Sequence, residues 1–371
     1  MKSKSESTFL DKVLQVIGAI LVVALVLGAL AGRIDPRDNK YIPFFGLAYP
    51  YLLCLVVVMI IWWLFRKRWD NAWKYAFAIL LGWQAFNASV GFLGKKGLGP
   101  KVDSTAIRMM TYNVHSFKPY GEEIIETVKE QMLDLIEEEN PDIVCFQEYF
   151  TRFKGPYDIT DSLKRILGTK HFYFVPISKN SYEANGLAVF SKYPIINQGE
   201  INFKDSKNGN SSIWVDLQVP GKIIRVYNVH LQSIAFDKQD YNYLDKVTKK
   251  MDAEITPSKR ILRMLRTAFV KRSNQVDEMK IHMRNCNIPY IIAGDFNDTP
   301  ASYAVTQLTS FLNNSFIEAG SGFGRTYNGK FPNFQIDYIA TTKNIDVLNY
   351  RIIEAKLSDH FPVRSDLKIK P

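Results

Sequence analysis

Cysteine is scarce in this chain, with three in 371 residues. Cys54, Cys145 and Cys286 lie far apart and show no metal-ligand spacing, which excludes a disulfide framework and gives no support to a zinc site. Internal repeats and long low-complexity tracts are absent, which excludes a repeat architecture. The long apolar runs near the N-terminus carry no charge cluster of the kind that marks a transport path, so anchoring is a simpler role for them than transport or sensing. Acidic residues are outnumbered, and the formal net charge is +10. That balance suits attraction to phosphate, on nucleic acid or on anionic lipid headgroups, and equally suits basic residues that flank membrane segments.

What is present begins with apolar length. Residues 13–31 and 44–65 are almost wholly apolar and about as long as the roughly 20 residues a membrane helix needs. A weaker third run, residues 72–93, is interrupted by Lys74, Gln84 and Asn87. Three membrane helices are therefore expected within residues 1–93. The first run also fits a signal peptide, with lysines before it and Ala29-Leu30-Ala31 as a small-residue cleavage pattern; its removal would leave two spans. Lys2, Lys4 and Lys12, with Arg66, Lys67, Arg68 and Lys74, outweigh the basic residues of the opposite side by a small margin. That bias puts the N-terminus inside and the chain after Leu93 outside. Trp62, Trp63, Trp69 and Trp73 cluster at a span end, as interfacial aromatics do. Residues 94–105, rich in glycine and lysine, read as a linker.

From residue 106 to 371 the pattern changes to short apolar runs of strand length broken by polar turns. Ile107 to His115 is a strand that presents Asn113. Residues 121–139 have helical spacing at Ile124, Ile125, Val128, Met132, Leu135 and Ile136. Ile143 to Glu148 is a strand ending in Glu148. Strands follow at 171–177, 186–190, 212–219 and 222–231, the last with Asn228 and His230 on one face. Residues 236–285 form a basic, helix-favouring segment. Ile261, Leu262, Leu265, Ala268, Phe269 and Val276 can make one stripe there, beside Lys259, Arg260, Arg263, Arg266, Lys271 and Arg272. This is a solvated helix on a sheet face, or a basic surface facing lipid headgroups or a polyanion. Tyr290 to Gly294 is a buried strand that delivers Asp295 and Asn297 to its rim. A short helix at 302–308, a strand at 335–340 carrying Asp337, and a strand-like stretch at 345–355 lead to Ser358-Asp359-His360 before the last strand.

Asn113, Glu148, His230, Asp295, Asn297, Asp337, Asp359 and His360 thus all sit at strand ends or in turns beside them. In a layered β fold such ends can converge on one edge. Glu148, Asp359 and Asn113 offer hard oxygen ligands, which suit Mg²⁺ or Mn²⁺. A histidine paired with a carboxylate can activate water or stabilise an anionic transition state. Asn297 and His230 are donors suited to phosphoryl oxygens.

Thr111-Tyr112-Asn113, Gln147-Glu148, Asn228-Val229-His230, Gly294-Asp295-Phe296-Asn297, Ile336-Asp337-Tyr338 and Ser358-Asp359-His360 appear in the order of the endonuclease/exonuclease/phosphatase superfamily, which the chain resembles from Ala106 to Lys368. Its members include pancreatic-type DNases, abasic-site endonucleases, inositol-polyphosphate 5-phosphatases and neutral sphingomyelinases. The resemblance implies an α/β four-layer sandwich, two packed mixed β-sheets flanked by helices. It implies that Glu148 is the principal metal ligand, helped by Asn113 and Asp359. It implies that His360, oriented by Asp337, acts on the scissile phosphate, and that Asp295, with Asn297, positions or deprotonates the attacking water. His230 stands where many members have a phosphate-contacting histidine and abasic-site endonucleases have a tyrosine, which argues against abasic-site repair.

The expected protein is a membrane-anchored, Mg²⁺-dependent phosphoesterase with its catalytic domain on the outer face of a plasma or inner membrane. Its partners are the bilayer and a phosphoester, with no obligate protein partner. A lipid-headgroup phosphodiester is the favoured substrate. Extracytoplasmic DNA or RNA is the rival, and a catalytically silent binding domain is the reading from another class.

Overall fold

In the computed structural model the described residues are 8–119, 127–204, 210–234, 236–250, 254–329 and 334–370. The N-terminal apolar runs are helical. Helix α1 (Phe9–Leu30) starts at a capping box: Thr8 Oγ1 accepts the Asp11 N–H at 3.2 Å, and the Asp11 carboxylate accepts the Thr8 N–H at 3.0 Å. Helix α2 (Ile42–Phe65) has Pro43 in its first turn, where the missing N–H costs nothing. Among the described residues these two are long and apolar enough to cross a membrane. Arg66, just past α2, ion-pairs with Asp11 at 2.9 Å and so ties the two helices together at that end.

The third expected span, 72–93, is not one helix. Helix α3 (Trp69–Leu81) begins earlier and stops at Gly82, α4 (Trp83–Ser89) continues after the break, and Val90–Phe92 form strand β1. Tight packing accounts for glycine at the break: a Cβ at Gly82 would lie 2.9 Å from the Ala29 Cβ of α1. Strand β1 pairs antiparallel with residues 321–323, so ladder bonds replace helical ones there.

After the linker come β2 (Ile107–Asn113), α5 (Val128–Glu139), β3 (Ile143–Arg152), α6 (Ile159–Ile166), β4 (His171–Lys179) and β5 (Glu183–Ser191). Then follow β6 (Ile195–Ile201), β7 (Ser211–Val219), β8 (Lys222–His230), α7 (Lys238–Lys250), α8 (Ile255–Arg284) and β9 (Tyr290–Asp295). The chain ends with α9 (Tyr303–Thr309), β10 (Asn313–Asn314), α10 (Ser315–Ala319), β11 (Ser321–Phe323), β12 (Asp337–Thr341), β13 (Ile345–Val347), β14 (Arg351–Ile352) and β15 (Val363–Ile369). The expected helical turn at Ile124 and Ile125 lies outside the described residues. The strand-like stretch 345–355 is two short strands. Between them Asn349 bonds Asp366 through both its amide nitrogen and its oxygen, at 2.9 Å each, and takes the place of ladder pairing.

One sheet has seven strands in the order β13-β15-β2-β3-β5-β4, with β14 also on β15; the other has six, β10-β12-β9-β8-β7-β6. Pairs β2–β3 and β8–β9 are parallel and the rest antiparallel, so both sheets are mixed. The sheets pack face to face on Met109, Ile143, Val189, Ile213, Val226, Ile291 and Ile339. Helices α5 and α6 cover the outer face of the first sheet, α8 and α9 that of the second. This is the expected four-layer α/β sandwich. Alternation along β9 turns Ile291 and Ala293 toward the other sheet and Ile292 toward the helices. Asp295 shares the parity of Ile291 and faces inward. On α8, Ile261, Leu265, Ala268, Phe269 and Val276 are buried as the stripe requires, but Leu262 is 50% exposed and leaves it.

A β-bulge shapes the sheet edge that matters most. Pairing of β3 with β5 shifts register between Phe146 and Tyr149, and Glu148 takes a left-handed φ of 51°. The bulge leaves the Phe146 carbonyl facing the second sheet. There Asn228 Nδ2 donates to it and to the Ala188 carbonyl, at 2.9 Å each, while Gln147 Nε2 donates to Asn228 Oδ1 at 2.6 Å. Asn228 therefore pins β8 to β3 and β5 across the core. Asn228→Leu strips partners from three buried groups. It is expected to cost at least roughly 2 kcal/mol, which a thermal melt in detergent reads as a drop of about 4–8 °C. An unchanged midpoint would show that the pin carries no stability.

Candidate active site

Strand register assembles the first half of the site. His230 lies opposite Asp295 on the parallel pair β8–β9, and Asp337 lies opposite Asp295 on the antiparallel pair β9–β12. The three form one row across the second sheet. Gly294 permits the close approach: its φ is 143°, and a Cβ there would lie 2.0 Å from the Val229 carbonyl oxygen. The first sheet supplies a facing row. Asn113 pairs with Gln147 across β2–β3, and the bulge turns Glu148 toward the cleft. Ser358 joins the two: its hydroxyl donates to the Asn113 carbonyl at 2.9 Å and accepts the His360 N–H at 3.2 Å. That fixes Asp359 and His360 between the rows.

The rows enclose a cleft of about 320 Å³ lined by Glu148, His230, Asp295, Asn297, Asp359 and His360. Asn113 and Asp337, each 1% exposed, stand behind its surface. All eight residues expected from the sequence are thus brought to one place.

His360 Nδ1 bonds both oxygens of Asp337, at 3.0 and 3.1 Å, which turns Nε2 toward Asp295 Oδ2 at 3.7 Å. His230 Nε2 approaches the same oxygen at 3.6 Å, and although buried it has no hydrogen-bond partner among the described residues. Asp295 accepts three bonds: the Asn297 N–H at 2.8 Å, Asn297 Nδ2 at 3.1 Å and Asn113 Nδ2 at 3.1 Å. Asn297 manages this with a left-handed φ of 54°, which asparagine tolerates better than most residues. Thr326 Oγ1 accepts the Asp337 N–H at 3.0 Å and braces the row from behind.

These surroundings push the two cleft carboxylates apart. Burial raises Glu148, but the hydrogen bond from His115 and the charges of His230, His115 and His360 outweigh it and hold the group at about 2. Burial raises Asp295, opposed by His360 and His230 and reinforced by the Asp337 charge, and leaves it at about 6. Burial lowers His360, yet the charges of Asp337 and Asp295 and the bond to Asp337 lift it well above an ordinary imidazole. Glu148 is then a fixed anion, His360 a fixed cation, and Asp295 a carboxylate with proton affinity near neutrality, which is what a general base needs.

Glu148 and Asp359, both ionisable oxygen donors on the cleft surface, fit a hard divalent cation. Asn113 is oriented differently. Its NH₂ faces Glu148 at 3.4 Å and Asp295 at 3.1 Å, while Oδ1 accepts the His115 N–H at 3.2 Å, so oxygen ligation requires the carboxamide to turn over. Ligand atoms of Asp295, Asp337 and His360 also lie within 4.8 Å of one another. There the Asp337–His360 pair already satisfies its own charges, and Glu148 with Asp359 is the better cation site.

Two further residues belong here. His115 Nδ1 lies 3.6 Å from Glu148 Oε2 and 3.8 Å from Asp359 Oδ1, in a turn where His115, Ser116 and Phe117 all have positive φ. A signal for it existed: Asn-Val-His occurs both at 113–115 and at 228–230. Arg272 is the second. It is buried on α8, donates to the carbonyls of Gln232 at 3.0 Å and Asn297 at 2.6 Å, and ion-pairs with Asp298 at 3.0 Å. It clamps the exits of β8 and β9 together. Nothing set it apart in sequence from the other cations of that helix.

Residues 110–360 match the model of the Endonuclease/Exonuclease/phosphatase family. Residues 11–89 match a model described as Domain of unknown function (DUF8431). No curated protein matches the chain. Similar solved structures include an endonuclease/exonuclease/phosphatase from Beutenbergia cavernae, 19% identical, covering 72% of each chain with a TM-score of 0.49. Another is a humanized D. rerio TDP2, 13% identical, covering 71% of this chain and 100% of that one, with a TM-score of 0.49. A third is the Bacteroides thetaiotaomicron mannosyl-6-phosphatase, 16% identical, covering 70% of this chain and 99% of that one, with a TM-score of 0.45.

Proposed function

Because the chain belongs to the endonuclease/exonuclease/phosphatase family, and is thus a hydrolase of phosphoric esters, we propose that it is a membrane-anchored, Mg²⁺-dependent phosphodiesterase acting on lipid headgroups. One observation carries this reading. Leu47 of α2 lines the same cleft as His230, Asp295 and His360, so the site opens beside a helix long enough to cross a bilayer. The catalytic unit is docked on that end of the helices. Phe44 packs edge-on against Phe269 at 5.5 Å, Gln307 Nε2 donates to the Gly32 carbonyl at 3.2 Å, and Arg37 ion-pairs with Asp277 at 2.7 Å. Arg66, Lys67 and Arg68 lie at the far end of α2 and favour the inner face for that end.

Charge supports lipid over nucleic acid. Arg272 is the only lysine or arginine among the described residues lining the cleft, and it is occupied by Asp298 and two carbonyls. Nucleic-acid binding rests on neutralising several backbone phosphates at once.

In this reading Asp295 takes a proton from the attacking water, which Asn297 helps to hold; as the new P–O bond forms, the bond from phosphorus to the leaving alcohol oxygen breaks, and that oxygen takes a proton from solvent water. The Nε2–H of protonated His360 faces the charge that grows on the phosphoryl oxygens, and His230 Nε2 supplies a second donor there. A Mg²⁺ ion held by Glu148 and Asp359 would add Lewis-acid stabilisation at the phosphoryl group. Asp337 keeps His360 charged and oriented. The test is a rate comparison on phospholipid vesicles, single-stranded DNA and plasmid, each with Mg²⁺ and with EDTA. Vesicle lipid should be cleaved fastest and EDTA should abolish turnover. A preference for plasmid would overturn the lipid assignment, and EDTA-resistant activity would overturn the metal.

A further inference from the structure

Beside the catalytic rows the cleft has a second wall of a different kind. Leu47 from α2, Ile234 and Phe236 from the loop after β8, Tyr241 from α7, and Leu265 and Phe269 from α8 line it. Most of these side chains belong to a small apolar cluster separate from the sheet cores, built where α2 meets α7 and α8. The sandwich does not require this cluster for its own burial, since both sheet faces are already covered. A carbon-lined recess contiguous with a phosphate-directed row suits a ligand that is anionic at one end and apolar at the other.

The recess continues outward along one helix face. Phe44, Leu47, Tyr51, Leu55 and Val58 follow one another at spacings of three and four residues, which places them on one stripe of α2. Phe44 packs on Phe269, Leu47 faces the cleft, and Tyr51 meets Phe334 edge-on at 5.8 Å. Tyr51, Leu55 and Val58 are then exposed, at 50%, 49% and 59%. The stripe therefore runs from the catalytic cleft to the open apolar surface of the helix.

We propose that this recess is a subsite for the alkyl chain of an amphiphilic phosphoester, which lies along α2 with its phosphate at the His230–Asp295–His360 row. The inference rests on the lipid reading above and adds to it. The enzyme grips a chain segment next to the headgroup, so the substrate is a single amphiphile drawn partly out of the bilayer. Specificity then depends on Leu47, Leu265 and Phe269 as well as on the polar rows.

The test uses the full-length protein in detergent-free nanodiscs and a series of alkylphosphonates from methyl to dodecyl as competitive ligands, read by calorimetric titration. Affinity should rise by up to roughly fourfold for each added methylene until the recess is filled. Leu47→Gln, at a half-buried position, should flatten that rise. Leu265→Ala should shorten the chain length at which the gain stops. Affinity independent of chain length in the wild type, or a rise that neither substitution alters, would overturn the subsite. The two readings fail separately. Vesicle hydrolysis without chain-length dependence removes the recess and keeps the lipid enzyme. Chain-length dependence with no vesicle hydrolysis keeps the recess and removes the membrane substrate.

Discussion

Replacing His360 with alanine is expected to lower kcat by roughly 10²–10³-fold, the usual worth of one donor aimed at charge that develops in the transition state. The reason lies in three buried charges. Asp295 and Asp337 are direct neighbours across β9 and β12, and His360 sits against both. Its charge offsets theirs, and theirs hold its proton. Without the imidazole no cation faces the phosphoryl oxygens from this side, and two carboxylates remain paired in a site of low dielectric. The pH dependence should shift as well. His360 pulls the Asp295 pKa down against burial. Loss of that cation lets the pKa rise above its present value of about 6, so the acid-side fall in rate moves to higher pH. Steady-state kinetics over a pH series, with folding checked by circular dichroism, measures both effects. A loss of less than tenfold with an unmoved profile would mean that another group does this work.

Glu148→Gln carries the second large effect. The substitution keeps shape but removes the charge and turns one acceptor oxygen into an NH₂ donor. Glu148 is held ionised by the imidazoles around it, despite burial. It faces the cleft only because a bulge forces it to a φ of 51°. A left-handed residue of this kind in the middle of a strand costs of order 1–3 kcal/mol and persists at functional positions. Glutamine meets the same backbone demand, so folding should survive. Divalent-metal affinity should fall by at least roughly 10–100-fold, since even changes behind a ligand cost that much. Most metal-dependent turnover should go with it. Wild-type rates at limiting Mg²⁺ in the variant would refute the ligand assignment.

Much of this was legible in the sequence, for identifiable reasons. The β-branched runs ending in Asp295, His230 and Glu148 mark strands, and the ordered motifs mark the family. The order β8-β9-β12, which makes His230, Asp295 and Asp337 neighbours, was not legible, because register follows from packing of whole strands. Glu148 gave no hint of its left-handed backbone, which the β5 pairing and the Asn228 pin impose. His115 is marked in sequence only by its tripeptide, which repeats the one around His230. The need for glycine at 82 follows from the approach of Ala29 in another helix, a contact that composition cannot reveal. The basic residues of 255–284 are legible as a charged helix, yet burial of Arg272 beside the β9 exit depends on how that helix seats on its sheet.

The central claim is that two strand-end rows, one from each sheet, meet around a single divalent cation. Anomalous diffraction from crystals soaked in Mn²⁺ tests it most directly. A peak bonded by Glu148 and Asp359 carboxylate oxygens, opposite His230 and His360, is the predicted result. A peak held instead by Asp295 and Asp337 with His360 displaced, or strong Mn²⁺ binding elsewhere with none at Glu148, would contradict it.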